Sequence, residues 1–147
     1  MIGEHGDSCV VAWSHVMVGN KPLDQLQLEH PDRYPSFDRQ AMQTAVHRRG
    51  FDVLSGKGST EFGIAAAATE VIKAILHNEN KVLPCSVLLD GQYGEKEVFA
   101  SVPVVVGAAG VVEVLELHLT PEEKEGFHRS CDVIRSYIDK AISIRPL

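Results

Sequence analysis

The rhythm of apolar and polar positions divides the chain into seven elements. Residues 9–18 (CVVAWSHVMV) are mostly apolar and β-prone, which predicts a strand. Gly19-Asn20-Lys21-Pro22 reads as a turn, and the polar stretch 23–35, with Pro31 and Pro35, as a loop or a short helical turn. A helix is expected after Ser36, an N-cap candidate, with Asp38 favouring the first turn. It runs through Ala41, Met42, Ala45 and Val46 toward Arg48 and Arg49, with a kink at Gly50 before Phe51, Val53 and Leu54. Ser55-Gly56-Lys57-Gly58-Ser59 predicts a break. A second helix spans about 61–77 with Thr60 or Ser59 as its N-cap, small alanines at 65–68 for close packing, and an apolar stripe of Val71, Ile72, Ile75 and Leu76.

The pattern then shortens to that of strands. Runs at 82–89, 97–106 and 111–119 are separated by the turns Asp90-Gly91-Gln92-Tyr93-Gly94 and 107–110, which predicts an antiparallel meander. Pro84 restricts the first run to a sheet edge or places the proline near its start. Thr120-Pro121-Glu122-Glu123 is a capping box with proline at the first helical position. Phe127, Cys131, Ile134, Ile138 and Ala141 or Ile142 follow at spacings of three and four, a face to lay on the sheet. Helices and strands are segregated along the chain, so the fold class is α+β, an antiparallel sheet packed with long helices.

Composition narrows the function. A length of 147 residues with 44% hydrophobic and 23% charged residues suits one globular domain, residues 1–147. The net charge of −6 argues against nucleic acid or an anionic membrane as partner. No apolar run is long enough to span a bilayer, and the first residues lack the pattern of a signal peptide. Three widely spaced cysteines, Cys9, Cys85 and Cys131, suit free thiols in a reducing cytoplasm. The seven histidines show no metal-ligand spacing.

The chemistry concentrates in Gly3-Glu4-His5-Gly6-Asp7-Ser8. Two glycines close to His5 mark an unusual backbone or a close approach, and imidazole exchanges protons near neutral pH. A histidine beside glycines is equally at home in a surface loop. Its place near a chain terminus is unexpected for a site that needs preorganised groups.

As a string, G-E-H-G-D-S resembles the active-site motif of L-lactate dehydrogenases and of the related L-2-hydroxyisocaproate dehydrogenases. The resemblance covers nearly the whole chain. Ala12-Trp13-Ser14-His15 is similar to the strand after the motif. Gly56-Lys57-Gly58-Ser59-Thr60 with Phe62-Gly63-Ile64-Ala65 is similar to the next signature, and Leu89-Asp90-Gly91-Gln92-Tyr93-Gly94 to a later turn. The resemblance implies the fold of the lactate/malate dehydrogenase C-terminal domain. It implies His5 as proton donor to a 2-oxo acid and acceptor in reverse, Thr60 in the substrate pocket, and Ile64 against the nicotinamide ring of NAD. From the residues alone, Thr60 is equally an N-cap and Ile64 equally a core residue.

The chain departs from the family in two ways. Family enzymes carry a dinucleotide-binding half ahead of the motif, and no G-x-G-x-x-G follows a strand in these 147 residues. That half also supplies a substrate arginine and an aspartate that orients the histidine. Asp7 is expected to fix the loop and not to take that role. The chain alone is therefore expected to be inactive, as part of a larger enzyme that forms homo-oligomers, tetramers or dimers, with a contact on the helix at 36–50. Secondly, Arg48-Arg49-Gly50-Phe51 stands where many relatives are alanine-rich, so Gly50 either leaves room for a larger substrate side chain or only kinks the helix. The alternatives are a hydroxyisocaproate- or malate-type catalytic half and, from another class, a non-catalytic self-associating domain.

Overall fold

The structure is a computed structural model that describes residues 1–144. Its elements are a short ribbon of β1 (Met17–Val18) and β2 (Lys21–Pro22), then α1 (Leu23–Glu29), α2 (Arg39–Lys57) and α3 (Glu61–Leu76). A meander of β3 (Lys81–Asp90), β4 (Lys96–Gly107) and β5 (Gly110–Val114) follows, and α4 (Pro121–Ile144) closes the chain. The sheet order is β3-β4-β5, antiparallel throughout. This is the α+β arrangement of antiparallel sheet and long helices that the pattern predicts.

The two prolines of the meander are paired with each other, Pro84 opposite Pro103. The Pro103 carbonyl accepts from Leu115 N–H on the β5 side. A residue's N and O point the same way in an antiparallel strand, so neither missing N–H falls inside the β3–β4 ladder. Pro84 turns its nitrogen to the open edge, where a proline costs nothing in pairing.

One face of the sheet is the core. Leu83, Cys85, Val87 and Leu89 of β3 sit opposite Val104, Val102, Ala100 and Val98 of β4. Phe127 and Cys131 of α4 and Ala74 of α3 cover them, each 0% exposed. The capping box forms as predicted: Thr120 Oγ1 accepts from Glu123 N–H at 3.3 Å, and the Glu123 carboxylate accepts from Thr120 N–H at 3.1 Å. The same carboxylate accepts from the amide and hydroxyl of Ser14, tying α4 to the chain's first segment.

Both α3 and α4 overhang the sheet. Only Val71, Ala74 and Ile75 of α3 pack into the core, while its first half stands exposed. In α4 the reverse holds: Phe127, Ser130, Cys131 and Ile134 dock, and the last two turns project.

Several local expectations change. Residues 9–18 are not one strand; a single turn of 3-10 helix at Trp13–His15 interrupts them, and pairing is confined to an isolated bridge at Val10 and to Met17–Val18. The apolar side chains there serve a folded crossing, which β-propensity alone cannot distinguish from a strand. The polar stretch contains α1, whose Leu26 is buried. The helix α2 is capped by Asp38 and not by the expected Ser36, because the Asp38 carboxylate accepts from Ala41 N–H, and it runs through Gly50 without a break. It stops at Gly58, whose left-handed φ of 81° lets its N–H close on the Leu54 carbonyl. The alanines at 65–68 are exposed. The third strand ends at Val114 because the chain turns inward: Tyr93 Oη bridges the Leu115 carbonyl and Leu117 N–H.

Candidate active site

The segment carrying His5 is held by the sheet and by α4. Ile2 pairs with Val10, and Gly3 exchanges both backbone hydrogen bonds with Ser101 at 2.8 Å. Gly3 thereby continues the β5 side of β4 where β5 has ended. Ile2 is 2% exposed. The terminal position of the motif thus does not leave it loose, because two bridges and a buried side chain anchor it.

Beyond Gly3 the loop closes on α4. Glu4 N–H donates to Ser130 Oγ at 2.8 Å. The Ser8 hydroxyl and amide both donate to Glu4 Oε2, and Ser8 Oγ lies 3.0 Å from Ser130 Oγ. Since the Ser8 proton goes to the carboxylate, Ser130 donates to Ser8. His5 and Asp7 point outward from this ring and are exposed. Glu4 and not Asp7 fixes the loop, since its carboxylate reaches forward four residues to the amide and hydroxyl of Ser8. Among the described residues, no carboxylate hydrogen-bonds the His5 imidazole.

His5 opens onto a cleft of about 770 Å³. Its walls combine the motif loop, the apolar flank of α2 (Val46, Gly50, Phe51, Leu54), Thr60, and Val133 with Tyr137 of α4. The overhanging parts of the three helices therefore enclose the space beside the motif. His5 and Thr60, 55 residues apart in sequence, line the same cleft. Thr60 occupies the N-cap position of α3, yet its side chain makes no capping hydrogen bond. Among the described residues its hydroxyl has no hydrogen-bond partner, and it stands at a helix N-terminus, a position that favours an anion. Ile64, one turn along α3, is 68% exposed and lies outside the cleft wall.

The helix α2 meets the motif through polar groups. Gln43 Nε2 donates to the Cys9 carbonyl at 3.2 Å, and His47 Nε2 lies 3.1 Å from Cys9 Sγ. Arg39 stacks over Trp13, 5.2 Å from the ring centroid. Residues 39, 43 and 47 follow at fours, so the face that α2 turns to the body is polar. Burial pushes the Cys9 thiol up from its ordinary value, so it stands as a neutral thiol beside His47. Sequence reasoning missed Ser130, Gln43 and His47 as site neighbours. Their only sequence signal was a polar residue at a helical position otherwise open to apolar ones.

A second charged cluster lies on the far side of α4. Glu95 is 5% exposed and receives His128 Nδ1 and Arg135. Burial pushes its carboxyl up, but the hydrogen bonds from His128 and Arg135 outweigh that and hold it below the ordinary range. This clasp ties α4 to the turn after β3. Among the described residues no group of three or more His, Cys, Asp and Glu is placed to hold a metal ion, and no helix is long and apolar enough to cross a membrane.

Comparison with known proteins places this architecture. The family model for the lactate/malate dehydrogenase alpha/beta C-terminal domain matches residues 1–144. The L-lactate dehydrogenase of Fusobacterium nucleatum is 38% identical over 139 residues, covering 95% of this chain and 44% of that protein. L-lactate dehydrogenase 2 of Enterococcus faecalis is 42% identical over 130 residues, 88% of this chain and 41% of its own length. The ligand-bound crystal structure of the minor L-lactate dehydrogenase of Enterococcus mundtii superposes with a TM-score of 0.87 at 40% identity, over 95% of this chain and 44% of that one. The chain spans less than half the length of these relatives. On the family match over residues 1–144 and the likeness to these relatives, the chain belongs to the lactate/malate dehydrogenase C-terminal domain family.

Proposed function

We propose that the chain is the substrate-binding, proton-transferring part of an NAD-dependent L-lactate dehydrogenase, reducing pyruvate to lactate in the cytoplasm. The observation that carries this reading is the convergence of His5 and the uncapped Thr60 hydroxyl on one cleft. His5 in its imidazolium form donates a proton to the carbonyl oxygen of the 2-oxo acid and takes it back in the reverse direction. Thr60, at the N-terminus of α3, holds the substrate in the pocket. NAD, when bound, supplies or accepts the hydride. The exposed Ile64 fits a flat apolar ring next to the cleft, while the chain offers no glycine-rich phosphate loop. The cofactor's phosphates therefore fall to a dinucleotide-binding half, as do the substrate arginine and the carboxylate that orients His5.

Steady-state activity of the enzyme carrying this chain tests the reading, on pyruvate, 2-ketoisocaproate and oxaloacetate. His5→Asn is expected to lower turnover by about 10²–10⁴-fold; undiminished turnover removes His5 from the mechanism. The chain alone is expected to show no saturable micromolar NADH binding.

Two observations favour narrower alternatives. A Cβ on Gly50 would meet nothing within 4 Å, so the cleft wall has space for a substrate larger than pyruvate, as in a hydroxyisocaproate-type enzyme. Gly50→Leu would then cut kcat/KM for 2-ketoisocaproate more than for pyruvate. The exposed Met42, Val53 and Phe62 on α2 and α3 favour self-association, as a homo-oligomeric enzyme or as a non-catalytic domain. Sedimentation separates association from its absence, and the activity assay separates the two associated forms.

A further inference from the structure

We infer that Ser130 of α4 is a positioning residue for His5, and that the glycines and acidic residue of the motif exist to close a hydrogen-bonded ring around its hydroxyl. Ser130 is 0% exposed, in a helix whose other docked residues there are Phe127 and Cys131. A serine in such an apolar setting needs partners, and it has two, both in the motif. The ring runs from Glu4 N–H to Ser130 Oγ, from Ser130 O–H to Ser8 Oγ, and from Ser8 O–H to the Glu4 carboxylate. Each member is donor and acceptor in turn, so all three protons are assigned.

The ring also accounts for both glycines. A Cβ on Gly3 would stand 2.3 Å from Ser130 Oγ and 2.8 Å from Ser130 Cβ, and its φ of +99° already disfavours any side chain. A Cβ on Gly6 would stand 2.7 Å from Glu4 Cδ, and that carboxylate cannot swing away because Ser8 holds it twice. Gly3, Glu4, Gly6 and Ser8 thus serve one closed structure, and His5 is carried on its rim. The His5 side chain makes no hydrogen bond to the described residues, so its placement follows from the backbone that Ser130 grips. A catalytic role for this placement rests on the proton-transfer reading above; the ring itself does not.

Amide hydrogen exchange of the chain in wild type, Ser130→Ala, Ser8→Ala and the double variant tests the ring. Ser130→Ala is expected to speed exchange at Glu4 about 10-fold or more while the β4 amides keep their protection. The double variant is expected to exchange like Ser130→Ala alone, because both changes open one ring. Unchanged exchange at Glu4 in Ser130→Ala overturns the proposal. If that variant does not fold, unchanged motif exchange in Ser8→Ala overturns it instead. In the enzyme carrying this chain, Ser130→Ala is expected to lower kcat by about 10–100-fold with KM for the 2-oxo acid within about twofold. A rise in KM at constant kcat overturns the positioning role. An inactive wild type with a ring that opens as described would remove the dehydrogenase reading and leave the ring standing.

Discussion

The α4–sheet half of the molecule and the α2–α3 arm obey opposite rules. In the first, Phe127, Cys131, Leu89, Val102 and Val104 are 0% exposed and interlock in one layer. In the second, α2 buries no residue over its 19 positions, and α3 buries Ala74 alone. The face of α2 that touches the body is Arg39, Gln43 and His47, while Met42, Val46, Phe51 and Leu54 are exposed or line the cleft. Apolar groups hold the first half together. In the arm, the C-terminal half of α3 packs into that core through Val71, Ala74 and Ile75, whereas polar contacts locate α2 and leave its apolar groups for something else. Stability resides in one half, and the cleft beside His5 is built where the other overhangs it.

The difference sets an order of expected effects. Phe127→Ala should cost about 3–5 kcal/mol, read by urea unfolding of the chain. A loss under 1 kcal/mol would mean that the core is not where these contacts place it.

Glu95→Ala should cost about 2–3 kcal/mol. This is at or below the low end for a broken buried pair, because the His128 and Arg135 left behind reach solvent. The clasp also predicts a pH dependence. The Glu95 carboxyl is held below its ordinary value of 4.5, so the folded state binds this proton less readily than the unfolded one. Its contribution is complete above the ordinary value and fades as pH falls from there through the lower folded value. Glu123, held down by Ser14 and the Thr120 amide against the opposing effect of burial, adds in the same direction. Glu95→Gln should flatten the acid limb of the stability profile; an unchanged limb would assign it to other carboxylates.

His47→Ala with Gln43→Ala should cost only about 1 kcal/mol, yet free α2 from the motif. Faster amide exchange confined to α2 would show it. Exchange rising equally in β4 would mean that the arm and the core are one cooperative unit. The smallest effect is expected from Phe62→Ser, within about 0.5 kcal/mol for the chain alone, because Phe62 is 75% exposed. A larger loss would mean that α3 is already covered by another copy.

Legibility in the sequence follows the same division. Where burial and periodicity coincide, the elements were readable: α4 with its Thr120–Glu123 box, the second half of α3, and the three-strand meander. Where the chain crosses the body without regular pairing, as at 9–18, apolar content predicted a strand that the 3-10 turn at Trp13–His15 interrupts. Gly50 read either as a kink or as room in the pocket wall; α2 runs through it unbroken, and it leaves open space in the cleft wall. His5 and Thr60 were visible only as parts of strings resembling a family. Nothing local shows that they line one cleft.

The sequence by itself determined the fold class and the capping box of α4, and it restricted Pro84 to a sheet edge or a strand start, because propensity, capping and periodicity act over a few residues; the family was legible in the resemblance of the motif strings. The tertiary structure alone decided which face of α2 meets the body, that Glu4 and not Asp7 closes the motif loop, and that Ser130 sits beneath it. Those outcomes depend on groups up to 126 residues apart meeting within about 3 Å, and such meetings leave no periodic trace in a single chain.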